Sequence, residues 1–261
     1  MVLTPLAKLL ALLFAAGFLH AQSLPVVPMQ MGPEELAKSL RERPAAISAD
    51  DCDALNLLEC RPDFFPPAQP ADVCLRWIQL DDDPELEATL VVEAKAEWTY
   101  MAYIFDKQSV WMMVGSLSCY RTCDANSLIR VQQLTQDSPS LLLYHRDLGG
   151  SAQVLMTTTG YQLRGGKLWQ AFEISNYDAV FLAAYKSHSR RVLSAGNRLV
   201  VHTITEQPLG RIVGNDCEVR KWDAKQFTFV LVSGERAQYC DSKTGKPILQ
   251  KSFATGLPVY P

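Results

Sequence analysis

Histidines are the first residues to test for chemistry, because imidazole is the side chain that most readily exchanges protons near neutral pH. The chain has four: His20 in its apolar N-terminal stretch, and His145, His188 and His202 further on. His145 stands two residues before Asp147, so a strand would bring the imidazole and the carboxylate to one face. This pair suits general acid–base catalysis, but no nucleophile stands beside it in the sequence. Polar residues also collect at strand ends to meet water, and we predict no catalytic residue.

The short motifs of common enzyme classes are absent from the sequence. There is no His-Glu-x-x-His of zinc proteases, no Gly-x-Ser-x-Gly nucleophile elbow and no glycine-rich phosphate loop. His188, between two serines, suggests an exposed loop, and His202, between Val201 and Thr203, suggests a hydrogen-bonded sheet residue. Catalytic groups that are far apart in sequence leave no local motif, so a secreted hydrolase with a scattered site stays open as the alternative. No cofactor is predicted.

The cysteines favour disulfides over metal sites, because the chain has features of an exported protein. There are seven of them, Cys52, Cys60, Cys74, Cys119, Cys123, Cys217 and Cys240, and an odd number leaves at least one unpaired within the chain. Cys119 and Cys123 lack the two-residue spacing of redox and zinc motifs. Cys217 and Cys240 bracket a predicted hairpin whose outer ends would bring them together, so we predict that they pair. Cys52 with Cys60 is the second predicted disulfide.

An acidic turn is the candidate for a metal site. Its acids are Asp81, Asp82, Asp83, Glu85 and Glu87, and calcium favours about six to eight oxygen ligands. Pro84 fixes its own backbone and biases Asp83 toward an extended conformation, whereas a calcium loop commonly bends at glycine. Asp82 and Pro84 recur as Asp137 and Pro139 in a second turn, which keeps fewer acidic residues. We therefore predict a structural turn without a bound metal.

Aromatic residues at strand spacing suggest either a stacking surface for a carbohydrate or peptide, or a core. They are Trp98, Tyr100, Tyr103, Trp111 and Trp169. Aromatic residues in strands mostly form cross-strand pairs and pack in the interior. We favour the core, and the ligand-binding residues stay unknown at this point.

The elements that position these residues are hairpins that recur along the chain. Residues 103–114 and 161–172 align without a gap, which places Tyr103 on Tyr161 and Trp111 on Trp169, and a looser copy begins at Trp222. In each copy a polar tip separates two apolar runs, as in a β-hairpin. The predicted tips are 106–109, 164–167 and 223–226. Similarity at a fixed spacing indicates a repeat architecture.

The predicted fold is mainly β: three repeated antiparallel four-stranded units, propeller-like or an open curved meander, with a short N-terminal helical segment. Because closed propellers typically need at least about four blades, we expect an open stack, a partial propeller or a barrel-like closure. One helix begins at Pro33 and ends before Pro44, and a second covers 51–59 with Asp50 as its cap.

Other segments are predicted to be less regular. Residues 24–31 should be an irregular tether because they contain two prolines, and residues 210–216 should be a loop. Residues 176–186 fit either a strand or a helical turn. The tail from Gly245 is expected to lie loosely on the surface.

The acidic turn and the strand after it resemble an FG-GAP-type repeat. Residues 79–87, followed by residues 88–92, carry the resemblance, and the second unit shows it faintly. In that family an Asp-rich loop precedes a strand and binds calcium in a β-propeller. The family's two glycines are replaced here by Asp82 and Pro84. The resemblance implies a propeller-like fold and a role in recognition or scaffolding outside the cell.

The domain organisation follows from composition. Residues 1–21 have the features of a signal peptide: Lys8, an apolar run too short to span a bilayer, and a small residue, Ala21, at the predicted cleavage point. An uncleaved anchor or a buried helix is the alternative. Residues 22–71 form a helical appendage with a proline-rich linker, and residues 72–261 form the β-repeat domain. No transmembrane segment is predicted in the mature chain, which we expect to be secreted or periplasmic.

The charge balance limits the partners. The formal net charge is −3 and hydrophobic residues make up 48% of the chain, as in ordinary globular proteins. A nucleic-acid partner would need a basic patch, and none is evident as a run in the sequence. We predict an exported, non-enzymatic protein with a binding or scaffolding role, whose partner is an unknown macromolecule or a component of the cell envelope.

Overall fold

The computed structural model describes residues 23–57, 60, 71–94, 99–120, 129–149, 153–180, 186–207, 210–248 and 254–255. Within these ranges the protein is mainly β with short helices near the N-terminal end, which confirms the predicted fold class. The predicted signal peptide and residues 61–70 of the predicted linker lie outside the described residues. No helix in the described ranges combines the length and the apolar character needed to cross a membrane.

The strands form three successive four-stranded meanders, called here the first, second and third units. The strands of the first unit are β2 (Asp72–Ile78), β3 (Glu87–Ala94), β4 (Thr99–Lys107) and β5 (Trp111–Tyr120). Those of the second unit are β6 (Ile129–Gln133), β7 (Ser140–Gly149), β8 (Gln153–Arg164) and β9 (Lys167–Val180). Those of the third unit are β10 (Lys186–Ala195), β11 (Arg198–Gln207), β12 (Arg211–Asp223) and β13 (Thr228–Leu231). Each strand pairs antiparallel with the next one along its unit.

The three units build two sheets, and neither sheet closes among the described strands. The first unit gains β1 (Val27–Pro28) at its β5 edge to make a five-stranded sheet. The second and third units join into a nine-stranded sheet, because β9 and β10 pair over residues 177–180 and 186–189. The structure is thus the open form among the alternatives that the sequence left.

The units pack as layers, with a separate hydrophobic core on each side of a unit. Successive side chains of a strand point to opposite faces. Leu90 and Tyr103 therefore pack toward the N-terminal helices, whereas Val91 and Ile104 pack toward the second unit. A third core lies between the second and third units and includes Leu143, Phe172 and Trp222. No described strand covers the outer face of the third unit, where a smaller cluster surrounds Cys217.

The three predicted hairpin tips are confirmed as turns. Residues 108–110 separate β4 from β5, Gly165 and Gly166 separate β8 from β9, and residues 224–227 separate β12 from β13. Both glycines have positive φ, 56° and 65°, as the central residues of the tightest hairpin turns require. That the three units are copies of one sequence repeat stays a prediction.

The N-terminal helices differ from the prediction in their ends. Helix α1 (Pro33–Glu42) begins with a proline, as expected, and a short 3₁₀ helix, Pro44–Ala46, follows it. Helix α2 (Ala49–Leu55) begins earlier and is shorter than the predicted span of 51–59. Its cap is Ser48, not Asp50: the Ser48 hydroxyl accepts a hydrogen bond from the Asp51 amide at 3.1 Å. A serine two residues further back satisfies an amide that Asp50, inside the helix, cannot reach.

The prediction of an irregular tether over residues 24–31 was wrong for Val27 and Pro28. Val27 and Pro28 form β1 against β5, and the Leu24 amide donates to the Leu168 carbonyl at 2.9 Å. Proline is tolerated in β1 because an edge strand needs no N–H on its outer side. The Asp51 carboxylate accepts the amides of Gln30 and Met31 at 2.8 and 2.9 Å. The segment therefore links the first unit, the second unit and helix α2.

The third unit is more regular than predicted. Residues 211–216 belong to β12, and not to a loop, because they pair with β11 through a bulge beside Thr205 and Glu206. Residues 176–180 continue β9 as a strand. The tail is not loose over its described part: residues 233–248 form a 3₁₀ helix (Ser233–Glu235), helix α3 (Arg236–Tyr239) and a turn, and β14 (Ala254–Thr255) pairs with β10.

Both predicted disulfides are present. Cys217 bonds to Cys240 and Cys52 bonds to Cys60, each with a Cα–Cα distance of 5.8 Å. Helix α2 and the Cys52–Cys60 disulfide coexist, as the sequence allowed. Cys74 is a free thiol at the interface of the first and second units. The side chains of Cys119 and Cys123 lie outside the description.

Candidate functional site

Turns from all three units meet around one cleft of about 480 Å³, called here the turn-end cleft. The first unit contributes the acidic turn after β2, and the second contributes the start of β7 and the β8–β9 tip. The third unit contributes Phe227 from the β12–β13 tip. The lining includes Gln79, Asp81, Asp82, Asp83, Ser140, Gln162, Arg164 and Phe227.

The acidic wall of the cleft is a turn that its own side chains hold in place. The Asp81 carboxylate accepts the Asp83 amide at 3.1 Å, and the Asp83 carboxylate accepts the Glu85 amide at 2.8 Å. The Gln79 side-chain amide donates to the carbonyl oxygens of Asp81 and Asp83. Short side chains that bond the backbone two residues on are typical turn formers. These contacts support the interpretation of the acids as turn-forming residues, while Asp82 faces solvent.

Glu87 lies beneath this turn and is almost completely buried. Its carboxylate accepts the Leu80 amide at 2.6 Å. Burial raises the pKa of Glu87 to about 7, and the charges of Asp81 and Asp106 act in the same direction. Burial likewise raises the pKa of Asp81. A carboxyl group in this environment holds a proton near neutral pH, because ionisation there is costly.

Asp81, Asp83 and Glu87 offer oxygen atoms that lie within 4.8 Å of one another. Carboxylates at this spacing suit either a shared proton or a hard cation. The arrangement does not distinguish the two, so the absence of a bound metal stays a prediction.

The part of the lining that comes from the β8–β9 and β12–β13 tips is basic and aromatic. The Arg164 guanidinium lies 3.5 Å from the centre of the Phe227 ring, a cation–π contact. The Trp169 indole donates to the Arg164 carbonyl at 3.3 Å and supports the tip. The buried Gln162 side-chain oxygen has no hydrogen-bond partner among the described residues. The cleft thus offers charges of both signs, an amide and an aromatic ring, which suit a polar ligand with several contact groups.

His145 lies on β7 and outside the lining of the cleft. Its Nδ1 is 2.8 Å from the hydroxyl of Thr158, which is fully buried, and the Asn176 amide donates to the same hydroxyl. Burial lowers the pKa of His145 to about 4, and the charge of Arg130 acts in the same direction. The side chain of Asp147 lies outside the description, so the predicted pair with His145 is untested. His145 is thus a buried residue that contacts the hydroxyl of a neighbouring strand.

The other two histidines are also hydrogen-bonded within the sheet. His202 is nearly buried, and its Nε2 lies 3.1 Å from the side-chain oxygen of Asn215, which confirms the prediction for this residue. The expectation of an exposed loop at His188 was wrong. This residue lies in β10, with Nδ1 at 3.0 Å from the Thr205 hydroxyl, because β10 extends further toward β9 than the sequence pattern indicated.

The aromatic residues are divided between core and surface. Tyr103 is fully buried, and its hydroxyl donates to the Leu55 carbonyl at 2.8 Å, as expected for a core residue. Trp111 is half-buried, and its ring centre lies 6.0 Å from that of Trp77, which is 42% exposed. Tyr100 and Trp169 are half-buried, and Trp98 lies outside the described residues. The core prediction holds for Tyr103 and in part for Trp111.

Sequence reasoning identified the acidic turn but missed Arg164, Gln162 and Phe227 as its neighbours. These residues come from turns that are more than sixty residues away in the chain, and a hairpin tip carries the same polar signature with or without a ligand. Phe227 has a positive φ of 55°, a conformation that bulky residues rarely adopt, but this conformation is not visible in the sequence.

Comparisons of this chain with protein-family models, with curated protein sequences and with solved structures give no match in any of the three.

Proposed function

We propose that this is an exported, non-enzymatic binding or scaffolding protein whose macromolecular partner contacts the turn-end cleft. The observation that carries the proposal is the cleft itself, built from the turns of all three units. Its partner would be a component of the cell envelope or of the space outside the cell. The resemblance to FG-GAP-type repeats also supports a recognition role.

The chemistry of the cleft supports binding. Asp82 and Arg164 supply opposite charges to the lining, and Phe227 supplies an aromatic ring. The lining is polar in its acidic and its basic part, so a partner with paired charges and amide groups fits better than an apolar one.

No described contact favours the hydrolase alternative. The hydroxyl beside His145 belongs to Thr158, which a substrate cannot reach because its side chain is fully buried. Catalysis would require a nucleophile that is accessible as well as activated.

Export is supported by the disulfides, which persist in oxidising compartments. Together with the predicted signal peptide they favour a secreted or periplasmic location. Mass measurement of protein from its native compartment should show a chain that begins at Gln22. A retained Met1 in that material would contradict the proposal.

The binding proposal is tested by affinity capture from an extract of the native envelope. Asp82→Lys and Arg164→Glu reverse charges in the lining of the cleft, and both side chains are exposed. Glu42→Lys is the control, because Glu42 is exposed on α1 and outside the cleft lining. The wild type and the control should capture the same partner, and each cleft variant should capture at least about tenfold less. Equal capture by all four folded proteins would overturn the proposal.

A further inference from the structure

The outer face of the third unit gathers positive charge. Arg191 on β10 lies directly opposite His202 on β11, which lies opposite Cys217 on β12. Side chains of directly opposed residues share one face of a sheet and lie next to each other. This face is turned away from the second unit, since Cys217 belongs to the outer cluster with Val200 and Cys240.

The segment after Cys240 adds a third positive group. The Cys217–Cys240 disulfide holds this segment against β12, and residues 241–246 form a turn in which the Asp241 amide donates to the Lys246 carbonyl at 2.8 Å. The turn packs closely on β12: a Cβ atom at Gly245, whose φ is +65°, would lie 2.3 Å from the Asn215 carbonyl oxygen. Asn215 is the hydrogen-bond partner of His202, and Lys246, next to Gly245 in the turn, is near enough for its charge to act on this histidine.

Carboxylates near this face are already paired. Glu235 binds Arg198 through two hydrogen bonds, Asp216 binds Arg236 at 2.7 Å, and the Asp241 carboxylate accepts the amides of Lys243 and Thr244. Arg191 and Lys246, in contrast, form no ion pair with another described residue. The sequence is also more basic in this region. Residues 186–261 contain twelve Lys and Arg and six Asp and Glu, whereas residues 1–185 contain thirteen Lys and Arg and 22 Asp and Glu.

We propose that Arg191, His202 and Lys246 form a binding site for a tetrahedral oxyanion, phosphate or sulfate, on the outer face of the third unit. The two exposed cations would contact the oxyanion directly, and the neighbouring imidazole would add a charge on protonation. The site is separate from the turn-end cleft and does not rest on the function proposed for it.

His202 reports on such an anion. Its pKa is lowered by burial, then by the charges of Arg191 and Lys246, while the Asn215 hydrogen bond and the charge of Asp216 raise it. An anion beside the two cations would cancel their effect and raise the pKa of His202. By reciprocity, an anion of constant charge would bind more tightly as the pH falls and His202 becomes protonated.

The test is an NMR titration of the His202 imidazole in the full chain. Sulfate is the main probe, because its charge is constant between pH 5 and 8, and chloride keeps the ionic strength equal in every sample. Sulfate should raise the pKa of His202 and should bind more tightly at pH 5.5 than at pH 7.5. An unchanged pKa of His202 at saturating sulfate would overturn the proposal.

Variants separate this site from general charge attraction. Arg191→Gln and Lys246→Gln should each weaken sulfate binding about tenfold, since each removes a charged hydrogen-bond donor. Lys225→Gln, at an exposed hairpin tip, should leave binding unchanged. Equal weakening by all three variants would mean unspecific attraction and would also overturn the proposal.

Two further titrations distinguish a free oxyanion from a lipid headgroup as the ligand. Inorganic phosphate alone represents a free ion, and vesicles that contain phosphatidylglycerol represent a lipid headgroup. A response to phosphate but not to the vesicles would support a soluble ligand, and a response to both, lost in Arg191→Gln, would support a lipid headgroup. A response to the vesicles without any response to sulfate or phosphate would contradict a site for a single oxyanion.

Discussion

The first and third units have the same four-stranded plan, but their outer faces are covered in different ways. Helices α1 and α2 cover the first unit, and their apolar side chains merge with its core around Tyr103. The third unit is covered by residues 233–248, whose helical parts are short and which the Cys217–Cys240 disulfide and ion pairs attach to the sheet. The N-terminal cap contains its own disulfide but contacts the first unit through apolar packing, whereas a disulfide and ion pairs join the other cap to the third unit.

This difference shows that, in a layered β protein, segments outside the repeated units must cover the faces of the end units. Each inner face is buried by the neighbouring unit, but an end unit has no neighbour and needs a cap. The caps and turns differ most between the units, and they also carry the charge: the acidic turn lies in the first unit and the basic outer face in the third. Each candidate site combines residues of these segments with residues of the strands.

The largest effect expected from this comparison concerns the disulfides. Replacing Cys217 and Cys240 together by serine opens a link between residues 23 positions apart and should cost about 3 kcal/mol of the free energy of unfolding. Replacing Cys52 and Cys60 opens a link of 8 positions and should cost about 2.5 kcal/mol, because the shorter loop constrains the unfolded chain less. Chemical denaturation of both double variants measures the difference. If the loss of stability were larger without the Cys52–Cys60 disulfide, the third unit would not be the end of the stack that depends more on its disulfide.

The two ends should also respond to pH in opposite directions. Glu87 has a pKa of about 7 in the folded protein against 4.5 ordinarily, so folding binds a proton and stability falls as the pH rises from about 4.5 to 7. His202 has a lowered pKa, so its contribution to stability is present above about 6.5 and is lost as the pH falls. Amide hydrogen exchange in β3 and β11 across this range resolves the two ends separately.

The variant Glu87→Gln isolates the first of these effects. The amide can still accept the Leu80 amide but cannot ionise, so the variant should exceed the wild type in stability at pH 8 by on the order of 1 to 3 kcal/mol. Its advantage should vanish near pH 4.5. Glu42→Gln, at an exposed position of α1, is the matched control. An advantage that is independent of pH would assign the stabilisation to something other than ionisation.

The smallest expected effect concerns calcium. The carboxylates of Asp81 and Asp83 already accept amides of their own turn, and Pro84 restricts the backbone there. Thermal melts with calcium and with a chelator should therefore coincide. A large rise in Tm with calcium that Asp83→Ala abolishes would show a native ion, and would make the acidic end of the stack a metal site.

The sequence predicted features that depend on neighbouring residues. The polar tip and flanking apolar runs of 103–114 and 161–172 were sufficient to locate two hairpins, and Pro33 and Pro44 were sufficient to frame α1. The Cys217–Cys240 disulfide followed from the hairpin that it brackets. In each case the cause and the effect lie within about two dozen residues.

The failures came from contacts between distant segments. Residues 24–31 contain prolines and look irregular alone, but the free edge of β5 supplies the hydrogen bonds that make Val27 and Pro28 a strand. Residues 211–216 become regular because β11 pairs with them. The turn-end cleft, where Asp82, Arg164 and Phe227 meet, depends on how the units stack, which no local pattern encodes.

The most direct test of the binding role is site-specific photo-crosslinking in the native host. A photoreactive residue is placed at Asp82 or at Ser140, exposed positions on the cleft lining from the first and second units, and at Glu42 as the control. If the turn-end cleft receives a macromolecular partner, both cleft positions should give the same crosslinked species and Glu42 should not. Crosslinks from Glu42 alone, or none from either cleft position in folded, exported protein, would contradict the proposed function.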